Sequence, residues 1–202
     1  MKDKLLSIFK FVLAILLFPL MISTTGAFWN NLCFVGAGIS SAFGWGVASY
    51  LILHILLFEP VEVFDKGKKI SEKALGVFSP LFKVTGYCVP LFTILSFIFY
   101  VLASHFWKGI ELLPFFTFLA AFTFAMHIAL TARALRKKTP GVLKENYLFS
   151  IFFVYLVNIV ILAAAFNFLT QAFSFLDFYQ NSVLSAKSIY VTVFTQLFVV
   201  SR

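Results

Sequence analysis

The sequence predicts an all-α fold: a polytopic membrane helix bundle of about five transmembrane helices, with its N-terminus in the cytoplasm and its C-terminal tail outside. Three observations carry this. The 202 residues are 61% hydrophobic and only 12% charged, with mean hydropathy +0.99, whereas a soluble domain carries about a quarter charged residues. Five apolar segments are long enough to cross about 30 Å of hydrocarbon at about 1.5 Å per residue. The Lys and Arg residues gather in alternate connections, as the positive-inside rule requires.

The first span is expected over Leu6–Phe28, kinked at Pro19. "MKDK", an apolar run and "STTGA" also resemble a secretory signal cleaved after Ala27, but the segment reads as a retained signal anchor. The second span runs over Cys33–Phe58 and stops before Pro60, and the third over Tyr87–Ala103. "EKALGVFSPLFKV" ahead of the third reads as an interfacial helix. The fourth and fifth cover Leu112–Ala132 and Tyr147–Leu169. Backbone in lipid must bond within its own segment, so each is helical. Residues 1–172 form the transmembrane domain. Residues 173–202 read as an external amphipathic or partner-binding tail, whose last apolar run, Ile189–Val200, is only 12 residues long.

With the N-terminus inside, twelve basic residues fall in the cytoplasm, around Lys2–Lys10, Lys66–Lys73 and Arg133–Lys144. Three lie outside, Lys108, Lys187 and Arg202, and Lys83 sits at the boundary. Trp29 and Trp107 then both occupy the outer interface. Glu59–Lys73 reads as a solvated cytoplasmic connector of mixed charge. The net charge of +8 is explained by this topology, so no nucleic-acid partner is expected. Cys33 and Cys88 are expected at opposite faces, where no disulfide can join them.

The second span carries two stripes of small residues at helical spacing: Gly36, Ser40, Gly44 and Ala48, and Gly38, Ala42 and Gly46. Such stripes let helix backbones approach closely. Ala121, Ala125 and Ala129 repeat the device on the fourth span. Thr123, His127 and Thr131 share one face of that span, and the fifth adds Asn158 with Tyr155 nearby. Polar groups in lipid face protein or a cavity, so these four residues read as an interhelical hydrogen-bond cluster, with a small polar pocket or proton path as the alternative. His54 and His127 fall at similar depth, where paired imidazoles can hold a haem iron and a single one a pigment.

"SYLILHILLFEPV", "GYCVPLFTIL", "FAMHIALTARAL" and "YLFSIFFVYLVNIVILA" together resemble bacterial membrane proteins related to the site-2 protease-type zinc metallopeptidases. The resemblance implies a bacterial cytoplasmic membrane location. It also implies a helix reading G-H-E-x-x-H after the first piece, where this chain has "GKKISE". Gly67 keeps the glycine. Lys68 and Glu72 stand where the histidines would be, and Lys69 where the glutamate would be. Two neutral imidazoles and a carboxylate base are what zinc hydrolysis needs, and a lysine ammonium repels the metal. No catalytic residue, metal or cofactor is therefore expected. The expected function is that of a non-catalytic membrane protein, a small subunit or scaffold of a membrane complex, a pseudo-metallopeptidase by resemblance. Its partners would be the bilayer and other membrane subunits. The alternative is a haem- or pigment-binding or transport component using His54, His127 and Asn158.

Overall fold

The computed structural model describes residues 2–56, 61–74, 85–107, 111–137 and 144–198. Every element among them is a helix: α1 (Lys2–Val35), α2 (Ala37–Leu56), α3 (Val61–Ala74), α4 (Thr85–Cys88), α5 (Leu91–Phe106), α6 (Leu113–Lys137), α7 (Lys144–Leu169) and α8 (Phe175–Phe198). Four stretches are long and apolar enough to cross a membrane: Ile8–Val35, Ala37–Leu56, Leu113–Arg136 and Tyr147–Leu169. The 16-residue α5 is a shorter apolar helix. The chain is an all-helical, polytopic membrane bundle.

It divides into two compact units, Met1–Val35 with Thr139–Arg202, and Gly36–Lys138. In the first, α1 packs against α7 and α8. The ring pairs Phe18–Phe152 and Phe28–Phe166, each 5.9 Å apart, show that α1 and α7 run parallel. Phe173 closes a three-ring cluster with Phe28 and Phe166. In the second unit, α2 packs on α6, and α5 on the same helix. Gly46 meets Phe118 and Tyr50 meets Phe122, so α2 and α6 are parallel. Tyr100 meets Phe116 while Thr93 meets Thr123, so α5 is antiparallel to α6. Five alternating crossings require these relative directions: first with fifth, second with fourth, third reversed.

Three expectations are corrected. The first helix does not stop at Phe28; it continues to Val35, and the break falls at Gly36, whose φ of +152° only glycine adopts readily. The Gly36 carbonyl accepts the amides of Ile39 and Ser40 at 3.1 and 3.0 Å, which starts α2. Gly36 thus begins no packing stripe. Second, most of the connector Glu59–Lys73 is a helix, α3. Phe64, Gly67 and Lys68 recur at helical spacing on its inner face, while Glu62, Asp65, Lys66 and Lys69 are exposed. Charge density hid this amphipathic period. Third, Ile189–Val200 is not an isolated short run; up to Phe198 it belongs to the 24-residue α8. Ser174 caps that helix, its Oγ accepting the amide of Asp177 at 3.1 Å. Residues 75–84 of the expected interfacial helix, Lys108 and Arg202 lie outside the described residues.

The orientation is tested by chemistry at its loops. Single cysteines at Lys68 and Lys137 are expected to resist an impermeant maleimide in intact cells, and one at Lys108 to react. Labelling at Lys137 from outside would reverse the bundle.

Candidate functional site

Several polar side chains of the second unit come together where α3 and α4 meet α5 and α6. His127 is 6% exposed, and its Nε2–H donates to the Tyr87 carbonyl at 2.8 Å. A carbonyl only accepts, so the proton resides on Nε2. The bond ties the middle of α6 to the α4 turn, forty residues earlier in the chain. Phe64 of α3 lies over the same place, its ring 5.8 Å from His127 and 6.5 Å from Tyr87. One turn on, Gly67 rests against Phe92 of α5: a Cβ there would stand 2.6 Å from Phe92 Cε2. Gly67 is thus a contact residue. Lys68 follows, with Nζ 4.4 Å from the centroid of the Tyr87 ring, where the ring's negative face attracts the ammonium.

Deeper along α6, Thr123 Oγ1 lies 3.2 Å from Thr93 Oγ1 and 2.9 Å from the Leu119 carbonyl. Thr131 is fully buried, and its hydroxyl has no hydrogen-bond partner among the described residues. His54 sits apart from this seam at the end of α2, half-buried, stacked on Tyr50 at 5.6 Å with Nδ1 3.4 Å from the Tyr50 hydroxyl. Each histidine thus has its own local partner. Asn158 belongs to the first unit. It is fully buried on α7, its Nδ2 donating to the Val154 carbonyl at 2.7 Å. Beside it, the Tyr155 hydroxyl and Thr25 Oγ1 are 2.7 Å apart and link α7 to α1.

The two small-residue stripes fare differently. Gly46 is buried, and a Cβ there would come 2.3 Å from the Phe118 carbonyl oxygen and 2.8 Å from Ala121 Cβ. Ser40 is buried, bonding back to the Gly36 and Ala37 carbonyls. Ala42, Gly44 and Ala48 are half-buried, whereas Gly38 is exposed with nothing within 4 Å of a Cβ.

Sequence reasoning missed Phe64, Tyr87 and Thr93. The i, i+3, i+4 spacing of Phe64, Gly67 and Lys68 is the one signal that could have placed α3 on the seam. No group of three His, Cys, Asp or Glu side chains able to hold a metal occurs among the described residues, which do not include the Glu72 side chain. The arrangement suits holding helices together: one imidazole proton, one cation–π contact and one hydroxyl pair, each directed at another element. The chain matches no protein-family model, no curated protein and no solved structure.

Proposed function

We propose that this chain is a non-catalytic protein of the bacterial cytoplasmic membrane that serves as a small subunit or scaffold of a membrane complex. The observation that carries this reading is Gly38. A small residue on a span is normally repaid by a close neighbour. Gly38 is exposed, and a Cβ there would meet nothing within 4 Å among the described residues. That leaves room for a helix supplied from elsewhere.

The absence of catalysis rests on "GKKISE". As a pseudo-metallopeptidase, the chain carries Lys68 and Lys69 where a zinc ligand and the general base would stand, and the Lys68 ammonium is engaged by the Tyr87 ring. A haem- or pigment-binding role through Nε2 of His127 draws less support, because that nitrogen already donates to the Tyr87 carbonyl.

Native mass spectrometry in mild detergent, on protein from its own host, tests the reading. The expected result is a stable assembly with other membrane proteins. Gly38→Leu should release a partner while leaving the chain's own unfolding midpoint unchanged, since a Cβ at this position meets nothing within 4 Å among the described residues. A clean monomer with no co-purifying protein overturns the proposal.

A further inference from the structure

The α8 helix lies alongside a span. Its Phe178, Ser182 and Ala186, four residues apart, are 2–4% exposed, and they form the face turned to the rest of the first unit, where α8 packs chiefly on α1. At one end Asn181, Leu184 and Ser185 border a cleft with Gly26, Asn30 and Cys33 of α1. At the other, the Tyr190 hydroxyl donates to the Leu16 carbonyl. The two helices are therefore antiparallel. They stay together from Asn30 to Leu16, about 21 Å at the usual helical rise, within the apolar stretch Ile8–Val35. If α1 crosses the bilayer, α8 is at the same depth.

At that depth its outer surface is unusual. Asp177, Asn181, Ser185, Ser188, Thr192 and Thr195 advance in steps of three and four, so they form one ribbon along the helix. All six are exposed, and Asn181 and Ser185 open into the cleft of about 580 Å³ with Asn30. Lys187 is exposed about a third of a turn round the helix from the ribbon, beside Val183 and Val191 and near the level of the middle of α1, and pairs with no carboxylate among the described residues. A ribbon of hydroxyls and amides facing acyl chains is unfavourable, and an uncompensated ammonium more so.

We propose that α8 crosses the bilayer antiparallel to α1, returning the C-terminus to the N-terminal side, and that its polar ribbon docks a transmembrane helix of another subunit presenting a carboxylate to Lys187. This rests on the subunit reading above and names the surface and chemistry of the contact. A second copy fits the ribbon poorly. Copies inserted in the same sense pair about an axis normal to the membrane, which sets Lys187 against Lys187 at equal depth, a like-charge contact in a low dielectric. An aspartate or glutamate on a different helix neutralises it, and Ser, Thr and Asn give that helix both donors and acceptors.

Two measurements test this on the full-length protein in its host. Single cysteines at Ser188 and Thr192, in a Cys33→Ser, Cys88→Ser background, are expected to resist an impermeant maleimide until the membrane is dissolved; rapid labelling in intact cells would make α8 external and overturn the proposal. A p-benzoylphenylalanine at Ser185 is expected to crosslink a membrane-spanning peptide of a different protein that contains Asp or Glu. Lys187→Met should then lower the crosslink about tenfold, and Lys187→Arg should keep it within about twofold, as expected for a charge pair. Crosslinks to a second copy, to residues 36–138 of the same chain, or to lipid alone overturn it. A co-purifying complex that never crosslinks through α8 removes this inference and leaves the subunit reading standing; a lone monomer removes both.

Discussion

Gly46→Leu is expected to separate α2 from α6. The position has no room even for a methyl group: a Cβ would stand 2.3 Å from the Phe118 carbonyl oxygen. That oxygen belongs to the α6 backbone, so it cannot swing aside as a side chain would, and Ala121 Cβ blocks the neighbouring direction at 2.8 Å. The helices must move apart along their contact. Overpacking of this kind destabilises by about 1–3 kcal/mol, occasionally more, and a branched side chain at a backbone contact belongs at the upper end. The midpoint of unfolding in an SDS titration reads the effect directly. Gly46→Ala should fall between wild type and Gly46→Leu, and Gly38→Leu, with open space around it, should unfold like wild type. A wild-type midpoint for Gly46→Leu would show that α2 and α6 do not meet at this register.

His127→Leu is expected to release α3 and α4 from the second unit. Leucine nearly preserves the volume, so the change isolates the hydrogen bond from Nε2 to the Tyr87 carbonyl. Loss of one partner of a buried pair costs about 1–3 kcal/mol, because the remaining group is left without a donor. The consequence should be local. Phe64 and Lys68 dock on Tyr87 and its surroundings, so loosening the Tyr87 segment frees α3. Limited proteolysis at the exposed Lys66 and Lys69 should quicken in His127→Leu, while His127→Gln, which keeps an N–H donor, should recover most of the protection. Equal proteolysis of wild type and His127→Leu would mean that the α4 turn is held by something other than this bond. Thr123→Val tests a hydroxyl pair of the kind that averages about 0.6 kcal/mol in membranes, and it should be the milder change.

The candidate seam was only half legible in the sequence. Thr123, His127 and Thr131 could be placed on one face because helical spacing is a local rule. Their partners could not. Tyr87 and Thr93 come from α4 and α5, at separations of forty and thirty residues, and which carbonyl or hydroxyl meets a given side chain depends on helix register. Asn158 was placed beside them from its polarity alone; it lies in the other compact unit, where its Nδ2 donates to the Val154 carbonyl of its own helix. The α3 helix was mistaken for a loop because its net hydropathy is low, although Phe64, Gly67 and Lys68 repeat with helical period.

Membrane residence and the helical state of the apolar segments follow from composition and segment length. They are one-dimensional quantities: apolar residues must meet lipid, and peptide groups in lipid must bond within their own segment. Which small residue bears a contact is decided in three dimensions. Two stripes offered seven candidates: the register of α2 on α6 makes Gly46 a close contact and leaves Gly38 facing outward, while Gly36 is the break between α1 and α2. The same holds for α8. Its hydropathy does not mark it as a span, and its packing along α1 is visible only in the tertiary structure. Packing is a pairwise property of surfaces, and no single stretch of chain contains the surface it will meet.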